Sequence, residues 1–393
     1  MYKIINRKKL VATALADMLG KIIFLPRTLL VKRELINPEA IKKICVIRTA
    51  YIGDVVMTLP LLPALRRRFP VAKITFLTST TAAPLLRYNP HVDEVLTFDP
   101  FWFYRNSIRE WLRCIKRLWH CSFDLVIEAR GDIRDIALIA FWMRAKYKVS
   151  YDVGGGGYLL THVIPYPGPC HKVDYHCNIA NYLGAATERL DEKIYLGPMD
   201  RDFASGLLAG KGINGPFIAI HPGSRLTLKR WFPERFAELS DQLSTRYRLP
   251  LVLLGAQQEK ELLLRIQKLA RNRIVPIMEP LELRQMAAIL EQASVFVCND
   301  SAPMHIAAAM QSPTVAIFGP SKSGETAPYS LKSEVVEKNF PCRFSCDEGI
   351  CRHREHHDCL KQVTVADVLA AVSRLLGEEP RPSLPSWRLA PPA

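Results

Sequence analysis

The sequence has no G-x-G-x-x-G motif and no glycine loop ending in Lys-Ser or Lys-Thr; the four glycines Gly154 to Gly157 lack that ending. The dinucleotide and P-loop fingerprints built on those patterns are therefore excluded. No zinc-finger spacing, RNA-recognition signature or basic zipper accompanies the basic residues, which argues against a nucleic-acid partner. The apolar stretch Leu10 to Leu25 is too short to cross a bilayer and is interrupted by Asp17 and Lys21. No small-residue cleavage site follows it, so it does not read as a signal peptide. Ten cysteines are scattered without the framework of a small disulfide-stapled domain, and a reducing cytoplasmic compartment is expected. Acidic residues are in deficit, 38 against 53 Lys and Arg, for a net charge of +15. That balance calls for an anionic partner such as a membrane surface or a phosphorylated substrate.

What is present is a chain of 393 residues, 49% hydrophobic. At roughly 100–200 residues per domain it holds two or three domains. Residues 1–38 combine apolar positions with Arg7, Lys8, Lys9, Arg27, Lys32 and Arg33. This pattern predicts an amphipathic helix on an anionic membrane surface, with packing on the domain or on a partner as the plainer alternative. From Ile41 onward, buried strand-like runs alternate with helical ones, first over 39–200 and again over 201–361. That alternation predicts two doubly wound parallel sheets, with ligands at the carboxyl ends of strands and in a cleft between the domains. A helix over 362–377 and a Pro-rich tail over 378–393 close the chain.

Three stretches carry chemistry. After the strand Ile41 to Thr49, Gly53 permits a tight turn and Asp54 falls where open α/β sheets place ligands; helix capping is the bland role for that carboxylate. After the strand Phe217 to His221 come Ser224 and Lys229, either ligand contacts or a plain turn and a solvated lysine. The third, Ala293 to Ser321, reads strand, polar turn, small-residue helix, strand. Asp300 or Ser301 can cap that helix, and its N-terminus would face a diphosphate. His305, one turn along, fits either the phosphates or the core. Cys342, Cys346, Cys351 and Cys359, with His353, His356 and His357 nearby, are compatible with zinc, a disulfide or free thiols.

RTAYIGDVVMTLPLLPALRRRFP, HPGSRLTLKRWFPERFAELSDQL and NDSAPMHIAAAMQSPTVAIFGPS, in that order, resemble the three signature regions of glycosyltransferase family 9, which contains the ADP-heptose:lipopolysaccharide heptosyltransferases. The resemblance implies a GT-B architecture, an acceptor-binding first domain, a nucleotide-sugar-binding second domain, and metal-independent transfer with inversion. It implies Asp54 as general base, Lys229 as donor-phosphate contact, and Asp300, Ser301 and Ala302 as the donor turn. Ala302 stands where glycine is usual. Glu259 resembles the acidic residue that holds the ribose, with Gln257 and Gln258 close alternatives. The expected substrates are an ADP-sugar, with no other cofactor, and a lipopolysaccharide core or other anionic glycolipid, met at the cytoplasmic face of the inner membrane. In GT-B proteins the final helix crosses back to the first domain, which is the expectation for 362–377. The rival readings are a nucleotide-sugar epimerase of the same fold, which would turn over without acceptor, and a non-catalytic nucleotide-sugar binder.

Overall fold

The computed structural model describes residues 7–26, 35–104, 108–185, 193–343, 350–351 and 357–378. The Pro-rich tail, Cys346, His353 and His356 lie outside them. The chain divides into two compact units after residue 190.

The first unit opens with helix α1 (Arg7–Ile23). Its strands are β1 (Lys43–Arg48), β2 (Lys73–Thr78), β3 (Glu94–Thr97), β4 (Ser122–Glu128), β5 (Arg144–Ser150) and β6 (His162–Val163). Between them run helices α2 (Ile52–Val56), α3 (Leu61–Arg68), α4 (Ile108–His120) and α5 (Ile133–Trp142), and α6 (Lys172–Tyr182) follows β6. The strands form a six-stranded sheet in the order β3-β2-β1-β4-β5-β6, every pairing parallel.

The second unit begins with α7 (Pro198–Gly210), so the domain break expected at 200 falls inside a helix; α7 packs on α10 (Leu283–Gln292) of the second unit. Its strands are β7 (Ile218–His221), β8 (Leu251–Leu254), β9 (Ile274–Ile277), β10 (Val295–Asn299), β11 (Thr314–Phe318) and β12 (Ser333–Glu337). Helices α8 (Pro233–Tyr247), α9 (Lys260–Leu269), α11 (Ala302–Ala309), α12 (Ser323–Thr326), α13 (Asp358–Lys361) and α14 (Val365–Leu375) complete it. This sheet is also six-stranded and parallel, ordered β12-β11-β10-β7-β8-β9.

Parallel strands covered on both faces need near-continuous apolar runs. β7, β8, β10 and β11 are buried at every residue, as are the last five of β1 and of β2. The stretch expected to cross back, 362–377, is seen as α14. Its buried stripe, Val365, Val368, Ala371, Val372 and Leu375, belongs to the core of the second unit, against α8, β11 and β12.

Both strand orders reverse at one place. In the first sheet the chain leaves β1 toward β2 and β3, then returns to β4 and continues the other way; in the second it does the same from β7 and β10. Loops diverge at such a switch point and leave a crevice at the carboxyl ends of the two central strands.

Candidate functional site

In the first unit the switch point collects charge. Arg48 ends β1, and its guanidinium lies 2.7 Å from Asp54 Oδ1 with only 6% of its side chain exposed. Burial would drive the Asp54 carboxyl up, but the charges of Arg48 and then Arg130 overcome it and hold Asp54 below the ordinary carboxylate range. Burial likewise opposes the Arg48 charge, and Asp54 and Glu128 more than restore it. Asp54 is therefore ionised at neutral pH, the state a proton acceptor requires. It sits in the first turn of α2, whose N-cap is Tyr51; its carboxylate serves Arg48 rather than the helix end.

The turn differs from the expectation. Gly53 lies inside α2, and the residue with positive φ is Tyr51, at φ 54° and ψ 134°. A bulky side chain there stores strain of order 1–3 kcal/mol, a cost found mostly where backbone geometry serves a site. Glu128, at the end of β4, is fully buried and accepts hydrogen bonds from the Arg130 and Gly131 amides and the Ser150 hydroxyl. Asp135, on the first turn of α5, is buried beside it. Burial, then the charges of Glu128 and Asp132, push the Asp135 carboxyl up to about 7. Its Oδ1, together with Arg48 Nε and Nη1 and Arg130 Nη1, is buried without a hydrogen-bond partner. His176 is held neutral, lowered to about 3 mainly by burial and then by Arg48, and its Nδ1 donates to the Met57 carbonyl at 2.9 Å.

In the second unit the loops after β7 and β10 meet. Lys229 Nζ lies 2.6 Å from Asp300 Oδ2, and the Ser224 hydroxyl donates to the Asp300 carbonyl at 3.2 Å. Asn299, the last residue of β10, stitches the same loops together: its side chain donates to the Pro222 carbonyl and accepts from the Trp231 amide. Arg230 is half-buried in the same loop, donates to the Ser224 carbonyl at 2.7 Å, and contributes to lowering the Glu259 carboxyl. The His357 ring holds the loop from outside, donating from Nε2 to the Leu228 carbonyl at 2.8 Å.

Ser301 is the N-cap of α11, but its hydroxyl bonds back to the Asn299 carbonyl and makes no side-chain cap. Asp300 is committed to Lys229. Neither of the expected caps covers the first amides of the helix, which keep the donor character and partial positive charge of a helix start. Ala302 is the first helical residue and has no positive φ, so alanine fits this position without strain. His305 is buried in α11.

Glu259 sits at the mouth of the same crevice, its carboxylate 3.3 Å from His221 Nε2 and accepting from the Ala256 amide. Burial would raise its pKa; the hydrogen bond and charge of His221 outweigh that and lower it. Gly223 makes this position reachable: a Cβ there would lie 1.8 Å from Glu259 Oε1. The structure thus brings Ser224, Lys229, Asp300, Ser301, Ala302 and Glu259 to one crevice of the second unit, while Gly53 and Asp54 belong to the first. Sequence reasoning passed over Arg48, Glu128, Asp135, His221 and Asn299. Their only signal was polarity at the last residue of an apolar strand, which four of the five share.

Cys342, Cys351 and Cys359 are thiols, and among the described residues no group of three His, Cys, Asp or Glu could hold a metal ion. Cys351 accepts from the His357 amide at 3.4 Å.

The model of glycosyltransferase family 9 (heptosyltransferase) matches residues 111–352. Lipopolysaccharide heptosyltransferase 3 of Escherichia coli strain K12 is 25% identical over 352 residues, covering 84% of this chain and 96% of its own. Among solved structures, the family 9 glycosyl transferase from Veillonella parvula superposes with a TM-score of 0.74 at 22% identity, covering 86% of this chain and 98% of its own. The E. coli heptosyltransferase WaaC with ADP gives a TM-score of 0.67 at 20% identity, covering 85% and 99%. Two Rossmann-like units of this topology, and a family match over more than half its length, make the chain a glycosyltransferase of GT-B fold that belongs to family 9, the heptosyltransferases.

Proposed function

We propose that the protein transfers a heptose from an ADP-sugar to a lipopolysaccharide core acceptor, without a metal ion and with inversion at the anomeric carbon. The second unit binds the donor. Its diphosphate lies at the amides that open α11, with Lys229 and Ser224 beside it, His305 one turn behind, and the ribose on Glu259. The acceptor hydroxyl attacks the anomeric carbon, the bond from that carbon to the β-phosphate oxygen breaks, and ADP departs. Asp54 takes the hydroxyl proton. Lys229 and the helix start offset the charge growing on the diphosphate, which is the work a divalent cation would otherwise do.

The observation that carries this reading is the Lys229–Asp300 pair at 2.6 Å, because it fixes an ammonium at the start of a helix that no side chain caps. ADP in the WaaC complex supports adenosine as the nucleoside. The reaction takes place at the cytoplasmic face of the inner membrane, with α1 resting on the lipid surface; no helix among the described residues is long and apolar enough to cross it.

A nucleotide panel tests the donor. ADP should raise the melting temperature by several degrees at about a hundredfold over its Kd, and UDP, GDP and CMP should give little. Asp54→Asn tests the base: kcat should fall by about 10²–10⁴ with ADP affinity kept. An equal shift from UDP, or an Asp54→Asn enzyme that still transfers at the wild-type rate, would overturn the respective assignment.

A further inference from the structure

Helix α1 docks on the first unit with most of its aliphatic side chains turned outward. Within the helix, the face toward the first unit is largely polar or small: Asp17 is 2% exposed, Gly20 is buried, Thr13 and Ala14 are half-buried, and Leu10 is the one half-buried aliphatic residue among them. Asp17 accepts from the Gly156 amide at 2.7 Å, in a glycine turn where Gly155 and Gly156 have φ of 85° and 86°. The other aliphatic residues face out instead. Val11, Leu15, Met18 and Ile22 are each more than half exposed. A helix that spends a buried aspartate on its docking and leaves its aliphatic stripe in water is built to meet a second apolar phase.

That stripe is not isolated. Phe24, just past α1, contacts Phe141 at 5.9 Å between ring centroids, and Phe141 is 48% exposed at the end of α5. The next residue, Trp142, meets Trp111 and Trp119 of α4 at 6.3 and 6.0 Å. Helix α4 docks through aliphatic residues and also leaves apolar side chains exposed. Ile115 and Leu118 are buried, while Ile108 is 77%, Leu112 53% and Trp119 44% exposed. Between these apolar positions stand exposed Arg109, Arg113, Lys116 and Arg117, and Arg144 lies over the Trp119 ring. Apolar and indole side chains alternating with cations suit the headgroup layer of an anionic bilayer, where rings sit at the interface and cations meet phosphate. A protein partner of ordinary composition offers no such excess of negative charge.

We propose that α4 is a second membrane-docking element, joined to α1 by the ring contacts through Phe141 and Trp142, and that its occupant is the surface of an anionic lipid bilayer. The proposal rests on the membrane contact assigned to α1, and adds a surface on which that contact does not depend.

The test is co-sedimentation of the full chain with vesicles of phosphatidylcholine alone or mixed with phosphatidylglycerol, neither containing lipopolysaccharide. Wild type should bind the mixed vesicles and not the neutral ones. Leu112→Glu with Trp119→Glu should weaken binding at least tenfold, and Arg113→Gln about fivefold. Ile108→Glu, at the most exposed of these positions, is the second variant in case the first does not fold. ADP-induced stabilisation of each variant reports that the donor unit is intact. Unchanged vesicle binding by the α4 variants, with loss in Leu15→Glu/Ile22→Glu, overturns the α4 proposal and leaves the α1 reading standing. Equal binding to neutral vesicles, or α4 variants that instead abolish a self-association seen without lipid, also overturns it. Because transfer to a soluble acceptor is measured separately, failure of docking and failure of the transferase reading are distinguishable.

Discussion

Asp54 and Asp135 show how one patch of a sheet sets two carboxylates apart. Asp54 faces Arg48 and is lowered; Asp135 is buried, near Glu128 and Asp132, and is raised to about 7. The signs give different pH windows. A lowered carboxyl adds stability present above the unfolded pKa of about 3.9 and lost only as pH falls below it. A raised carboxyl acts the other way: the folded state keeps a proton the unfolded chain has lost, so stability falls as pH climbs from about 4 toward 7. A shift from about 3.9 to about 7 is worth at most about 4 kcal/mol. Asp135→Asn should therefore stabilise the first unit at pH 8 relative to wild type and change it far less at pH 4, as read by urea denaturation at the two pH values. An unfolding free energy whose pH dependence matches wild type would show that Asp135 ionises freely. Asp54 stood out in the sequence because a carboxylate just after a buried strand falls where open α/β sheets place ligands, with helix capping as its other reading. It did not announce Asp135, which reads as one polar residue in the helix IRDIALIAFW, nor Arg48, which reads as the frayed end of KICVIR.

At the scale of elements, legibility followed burial. The central strands were readable because both faces are covered and their runs are apolar. Of the edge strands, β3 was readable as Val95 to Phe98, and the other three were not. β9 carries Pro276, which cannot donate to a ladder and is tolerated at the sheet edge where it sits; β12 is bounded by Ser333 and Glu337; β6 has two residues. Loop geometry was also invisible, and the Gly223–Glu259 approach is an instance with a consequence. In Gly223→Ala the new methyl would meet the carboxylate 1.8 Å from Oε1, so Glu259 must swing out and release both His221 and the Ala256 amide. If Glu259 holds the ribose, ADP affinity should drop about ten- to hundredfold, the span of one to two hydrogen bonds to a charged group. Glu259→Ala should cost as much, and the double variant no more than either, because the two changes remove the same interaction. Calorimetric titration with ADP reads all three. A Gly223→Ala protein with wild-type affinity would remove Glu259 from the donor site.

The whole molecule repeats one plan, a six-stranded parallel sheet whose order reverses beside its central strands, and then equips the two copies differently. The first copy places an ionised aspartate and buried carboxylates at its switch point; the second places an ammonium and an uncapped helix start at the equivalent position. Anions are favoured at the second and disfavoured near Glu128 and Asp135, so the proposed donor diphosphate would have an electrostatic reason to choose the second unit. Hydrogen exchange resolves that choice by location. Amides exchange according to the local opening that exposes them, and a bound ligand slows those it covers. ADP alone should slow exchange in Gly223–Arg230 and at the start of α11 while leaving Arg48–Val56 and Glu128–Asp135 at their ligand-free rates. Lys229→Met should reduce this protection without redistributing it, because the helix amides remain. Protection by ADP at the Arg48–Val56 turn, with none around α11, would exchange the roles of the two units and leave Asp54 facing the donor.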